Sequence, residues 1–212
     1  MNMQQLKAWH KDPLLFVTEA IDWEKDCGPS PQQAEALKKF PDTKRMTIES
    51  DYGCGKDAVA AWLSLWYVVT RRFAKVIVVG ATIDQPNDIF SLELLKWFKR
   101  SKLQSEFIYQ DGMLFQKDSP KEWYVRLVSP DEDNPAELLA GYCSEHLLVI
   151  ANDASGIPDI VFAPLDSVLT GFDSKVLLLG RMNRDSGYFF NSNFKKGVMD
   201  KWTKLSWLAK LK

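Results

Sequence analysis

Histidine and cysteine are scarce in this sequence. Its 212 residues include two histidines, His10 and His146, and three cysteines, Cys27, Cys54 and Cys143. They form neither a CxxC pair nor a Cys/His cluster, so the ligand spacing of a zinc site is missing. Three widely spaced thiols fit a reducing compartment rather than a disulfide framework. No run of about 18 apolar residues occurs, and the opening MNMQQLKAWHKDP holds no uninterrupted apolar stretch, so neither a membrane span nor a secretory leader is expected. Charge of one sign is missing too: 27 Lys+Arg balance 28 Asp+Glu, a net charge of −1. Without a global basic field, contact with nucleic acid needs a local patch or a ring of subunits presenting one.

What is present suits a folded core. Hydrophobic residues make up 46%, aromatics 12% and charged residues 26% of the chain, close to the globular average. One domain over 1–212 is the expectation, with an N-terminal helical segment (1–30) and a C-terminal tail or linker (195–212). Residues 13–24 read as a short amphipathic helix. Ser30 before Pro31 reads as an N-cap followed by proline at N1, starting a helix to about Phe40. RMTIES (45–50) predicts a strand, and Asp51 to Gly55 a glycine-containing turn. Lys56 to Arg72 then predicts a long helix, with Val59, Trp62, Leu63, Trp66 and Val69 at three- and four-residue spacing.

KVIVVGA (75–81), Leu147 to Ala151 and KVLLLG (175–180) are continuous apolar runs of strand length, as expected of parallel strands covered on both faces. Ile89 to Arg100 predicts a helix. Residues 106–129 predict short strands around turns at Asp111-Gly112 and Ser119-Pro120. The alternation points to an α/β domain with a mostly parallel sheet, in which ligands sit at the carboxyl ends of the strands.

Ser50-Asp51-Tyr52-Gly53-Cys54-Gly55-Lys56-Asp57 lies between a predicted strand and the long helix. Gly53 and Gly55 let backbone amides approach an anion closely. The following helix aims its N-terminal amides at that anion, and Lys56 reaches the outer phosphates. Two positions depart from the G-x-x-x-x-G-K-[ST] pattern: Ser50 replaces the first glycine, and Asp57 replaces the hydroxyl that holds Mg²⁺. Read blandly, the segment is a turn before a helix whose first turn Asp57 stabilises.

In this setting the chain resembles the ATPase domain of phage-type large terminases over about residues 12–194. Asp12-Pro13 with Phe16-Val17 resembles the entry segment of that family, and Pro31-Gln32-Gln33 with Leu37 its adenine-contacting motif. Gly80-Ala81-Thr82 with Gln85 resembles the strand-loop motif that follows. ELLAGYCSEHLLVIANDASGIPDIVF (137–162) resembles the Walker B region. Leu177 to Gly180, then Gly187-Tyr188-Phe189-Phe190, resembles the coupling motif. The resemblance implies a three-layer, RecA-like P-loop fold and ATP and Mg²⁺ as cofactors. It also implies action on double-stranded DNA, a homo-oligomeric ring on the capsid portal, a small terminase subunit as partner, and work in the bacterial host cytoplasm without a membrane. A nuclease domain, also implied, is not among these residues.

Residue by residue, the resemblance implies that Gln33 contacts adenine and that Ser50, Gly53, Cys54, Gly55, Lys56 and Asp57 hold the nucleotide. Asp57 and Asn152 would hold the metal, Lys56 and Asp153 would serve catalysis, and Arg181 would sense the outer phosphate. Arg184 is a second candidate for that role. The departures fall on the chemistry. Asn152 stands where Walker B has aspartate, and Asp153 where the water-orienting glutamate belongs. Tyr52 replaces a loop arginine, and Arg181-Met182 alters the coupling motif. A carboxylate about 4 Å from a phosphate oxygen costs roughly 4 kcal/mol at an effective dielectric near 20. Asp57 therefore opposes a nucleotide unless a cation lies between them, in which case it becomes a hard oxygen ligand.

Two explanations follow: one carboxylate has moved from Walker B to Walker A, or the site has decayed. Two other functions stand beside the motor: a catalytically impaired terminase-like protein binding nucleotide or partner proteins, and a helicase-like P-loop ATPase outside packaging. Trp62, Trp66 and Trp97 read as core, and Trp202 and Trp207 as part of a cationic amphipathic tail. Glu137, Glu145 and Asp159 carry no assigned chemistry.

Overall fold

In the computed structural model, residues 2–81, 89–131 and 133–207 are described. An eight-stranded sheet of order β3-β4-β5-β2-β6-β7-β1-β8 runs through them. Its strands are β1 (Arg45–Ser50), β2 (Lys75–Val79), β3 (Phe107–Gln110), β4 (Met113–Gln116), β5 (Tyr124–Val128), β6 (Leu147–Asn152), β7 (Lys175–Gly180) and β8 (Thr203–Trp207). All pairings from β5 to β8 are parallel, while β3, β4 and β5 pair antiparallel. The β3–β4 turn places Asp111 and Gly112 at φ 50° and 74°, the double positive φ of a tight hairpin.

The helices are α1 (Met3–Lys11), α2 (Pro13–Ala20), α3 (Pro31–Lys39), α4 (Lys56–Thr70), α5 (Ser91–Lys99), α6 (Leu165–Val168) and α7 (Tyr188–Phe194). Ser30 and Gln33 form a reciprocal capping box at the start of α3. The spacing in α4 predicts one apolar stripe, yet every residue from Ala58 to Val69 is buried. The sheet takes one side of α4, and α1, α2, α3 and α5 cover the rest. A helix apolar all round belongs in that place. Alternate residues of the strands divide between two cores. Met46, Ile48, Val76, Val78, Ile150 and Leu177 face α4. Val79, Val149, Val176 and Leu178 face the other side, under α6, α7 and short 3₁₀ turns.

The tail expectation needs correction. Thr203–Trp207 is a sheet strand paired with β1, not a linker. Leu205 and Trp207 enter the α4-side core and Trp202 the other one, because alternating apolar residues at a sheet edge bury themselves before they serve as a tether. The helix expected over residues 13–24 is α2, which ends at Ala20. No helix among the described residues is long and apolar enough to cross a membrane. Thr82 and Gln85 of the strand-loop motif lie outside the described residues.

Candidate functional site

Strand register brings the motifs to one edge. Glu49 pairs with Gly180, and Leu179 with Asn152, so β1, β7 and β6 end level with each other. Ser50, Arg181 and Asp153 each stand next to that line. From Ser50 the chain turns through Gly53 (φ 72°) and Gly55 (φ 76°) into α4, and Gly55 is the N-cap of that helix. Gly55 has no room for a side chain, since a Cβ there would lie 2.4 Å from Gln33 Nε2.

Inside this cradle the charges are already paired. Lys56 Nζ lies 3.1 Å from Asp57 Oδ2 and 3.1 Å from Asp153 Oδ1, with 16% of the lysine side chain exposed. Burial works against the ammonium, but the carboxylates of Asp57 and Asp153 outweigh it and raise Lys56 above the ordinary lysine value. Asn152 Nδ2 donates to Asp57 Oδ1 at 2.9 Å. Asn152, Asp57, Lys56 and Asp153 thus form one connected chain of groups. Asp153 takes φ 54°, a left-handed conformation that aspartate tolerates better than most residues.

Two polar atoms in the site have no partner. Ser50 Oγ and Asn152 Oδ1 are buried without a hydrogen bond among the described residues. Orphaned oxygens are costly unless a ligand or cation completes them. Asn152 Oδ1 and the carboxylates of Asp57 and Asp153 belong to that connected group and are hard oxygens, the donor type that suits a divalent cation carried by a phosphate. The residues therefore fit a metal-bound nucleotide, whereas the acids oppose a bare one.

Gln33 is placed beside the loop. Its Oε1 accepts from Ser30 N and its Nε2 donates to the Gly55 carbonyl at 3.1 Å. Next to it lies a cavity of about 610 Å³ lined by Trp23, Gln33, Gly55, Ala58, Trp62 and Trp97, among others. Arg181 is exposed, with its guanidinium 4.9 Å from the ring centroid of Tyr52, which is itself 79% exposed. Arg184 instead donates to the carbonyls of Ser155 and Ile157, which ties it to the segment after β6. Cys54 Sγ lies 3.1 Å from the Trp207 carbonyl, which also accepts from Asp51 N at 3.2 Å.

Sequence reasoning missed three contributors. The Trp207 carbonyl braces the loop, but a backbone group has no residue signature. Asp159 accepts from Tyr188 N at 2.9 Å, joining the Ser155-Gly156-Ile157-Pro158 turn to α7. Trp23 lines the cavity from a segment that the sequence reads as helix.

The fold as a whole superimposes on solved proteins. The ATPase domain of Thermus phage P74-26 large terminase superimposes with a TM-score of 0.64 at 15% identity, covering 85% of this chain and 81% of that one. The chain shares the fold of that domain. The large terminase of another thermophilic bacteriophage, solved in complex with ADP, superimposes with a TM-score of 0.63 at 14% identity, covering 92% of this chain and 44% of that one. By sequence, the chain is 29% identical over 176 residues to the "Probable terminase, large subunit" of Enterobacteria phage P7. That match takes in 80% of this chain and 35% of the relative, so the chain spans about a third of the curated protein. No family model matches the sequence.

Proposed function

We propose that this chain is the ATP-hydrolysing motor domain of a phage terminase large subunit, acting on double-stranded DNA during packaging. The carrying observation is the linked group Asn152–Asp57–Lys56–Asp153 at the mouth of a glycine loop, on a fold shared with large terminases. That a large terminase of this fold was solved with ADP supports a nucleotide as the ligand of this edge.

In this reading Gly53, Cys54, Gly55 and the first amides of α4 hold the phosphates, and Ser50 turns its free hydroxyl toward them. Lys56 exchanges a carboxylate partner for phosphate oxygen. Asp57 and Asn152 would hold Mg²⁺, which when bound would neutralise phosphate charge. Asp153, released from Lys56, accepts a hydrogen bond from the attacking water and orients it. Arg181, carried by Tyr52, faces the outer phosphate of its own or a neighbouring subunit. The cavity beside Gln33 takes the adenine, with Gln33 keeping one hydrogen bond to the loop. The portal, the small subunit, a ring of copies and the host cytoplasm complete the proposal.

Calorimetric titration of the protein with ATP, in Mg²⁺ and then in EDTA, tests it. Binding in Mg²⁺ that disappears in EDTA is expected, followed by DNA-stimulated turnover. Binding without turnover would favour the impaired, nucleotide-binding reading. No binding in either buffer from a folded protein would overturn the nucleotide site.

A further inference from the structure

The far end of α4, about 21 Å from Lys56 at 1.5 Å per residue, opens a second cavity of about 680 Å³. Met3, Leu6, Val69 and Trp123 provide its apolar surface, and Lys7, Lys11 and Arg72 also line it. Met3, Leu6, Lys7 and His10 fall at positions i, i+3, i+4 and i+7 of α1, so one face of that helix forms the wall. Met3 is 67% exposed, a large apolar side chain left in water.

Three features bear on what covers it. No Asp or Glu lines the groove. Lys7, Lys11 and Arg72 have no ion-pair partner among the described residues. The ends of α1 and α4 meet there, with His10 Nδ1 3.2 Å from the Thr70 carbonyl. Burial, and then the charge of Arg71, hold His10 below its ordinary value, so the fixed positive charge belongs to the lysines and Arg72. The C-terminal carbonyls of α1 and α4 offset part of the charge at Lys11 and Arg72, and they leave Lys7 uncompensated.

We infer that this groove docks an acidic amphipathic helix of a partner protein. The partner's apolar side chains at i, i+3, i+4 and i+7 seat between α1 and the end of α4, and its flanking carboxylates meet Lys7, Lys11 and Arg72. A helix suits a trough between two helices with no free sheet edge. Nucleic acid would leave the apolar floor unused, since phosphate contacts draw on charge and polar donors. The inference stands apart from the nucleotide reading, because it uses the opposite end of α4.

The probe is a labelled synthetic peptide with leucines at those four positions and glutamates between them, followed by fluorescence anisotropy. A second peptide carries lysine in place of glutamate. The acidic peptide is expected to bind the protein at least tenfold more tightly than the basic one. Lys7→Glu with Lys11→Glu, two exposed changes, should weaken it at least tenfold, and Met3→Asp should weaken it without altering the melting temperature. Equal binding of both peptides, or no binding of the acidic one, overturns the inference. So does competition by duplex DNA at equal charge concentration, or self-association of the protein that Lys7→Glu abolishes.

Discussion

Asn152 donates through Nδ2 to Oδ1 of Asp57 at 2.9 Å, so two residues 95 positions apart in the chain are in direct contact. Asn152→Asp alone would place two carboxylates at that separation, where like charges repel strongly. The variant should melt at a lower temperature than the parent in EDTA and recover in Mg²⁺. Asp57→Thr alone should weaken Mg·ATP binding, and the double change Asp57→Thr with Asn152→Asp should restore it. Calorimetry across this cycle checks the point. Additive effects would argue that the two positions decayed independently.

Gly53 and Gly55 have nearly the same φ but different surroundings. Alanine in that left-handed region costs roughly 1–2 kcal/mol on conformational grounds alone. Gly53→Ala meets open space and should lose only that much. Gly55→Ala also drives a methyl into Gln33 Nε2, so it should lose more and release the Gln33 bond to the loop. Paired denaturant melts give the difference. Equal losses would show that Gln33 moves aside freely.

Asp153 reaches Lys56 as it stands, and its side chain is 48% exposed. Asp153→Glu adds one methylene toward the water position, where a misplacement of about 1 Å is worth on the order of a hundredfold in rate. The same change puts glutamate at a positive φ that aspartate accepts more readily. We expect faster ATP turnover with a small loss of stability. Slower turnover would remove Asp153 from the water-orienting role.

Lys56 has its pKa raised in the fold, through Asp57 and Asp153 acting against burial. A raised value stabilises the folded state below the unfolded value of 10.5, and the benefit is lost as pH rises through the folded value. Lys56→Met should therefore reduce stability uniformly from neutral pH to about 10, with the two proteins converging above that. Thermal melts against pH test this window. The same variant should not bind ATP.

The Trp207 carbonyl accepts from Asp51 N, which makes β8 part of the loop. Leu205→Ala removes a core contact of that strand at a cost of about 2–5 kcal/mol. Amide exchange at Asp51 should quicken together with β8, and ATP affinity should fall. Exchange at Asp51 unchanged while β8 opens would uncouple the strand from the site.

Much of the fold was legible because it rests on local pattern. Apolar runs such as KVLLLG have the length and composition of covered strands, Ser30-Pro31 carries a capping signature, and two glycines before Lys56 mark a loop entering a helix. The candidate residues were named through the family resemblance, and of these the structure brings Lys56, Asp57, Asn152 and Asp153 into contact. How those residues engage each other was not legible. Nothing in the spacing of residues 57 and 152 states that an amide would donate to that carboxylate, or that Lys56 would sit between Asp57 and Asp153.

Sequence alone thus determined the element types, the glycine loop and the identity of the charged groups, through periodicity and backbone preference acting over a few residues. Tertiary structure decided what lay far apart in the chain. It turned the expected tail into β8, because Leu205 and Trp207 gain more by burial against the α4-side core than by exposure. It also brought Asn152 to Asp57 and the Trp207 carbonyl to Asp51 and Cys54, since strand register levels the strand ends and the glycine loop carries the start of α4 beside them.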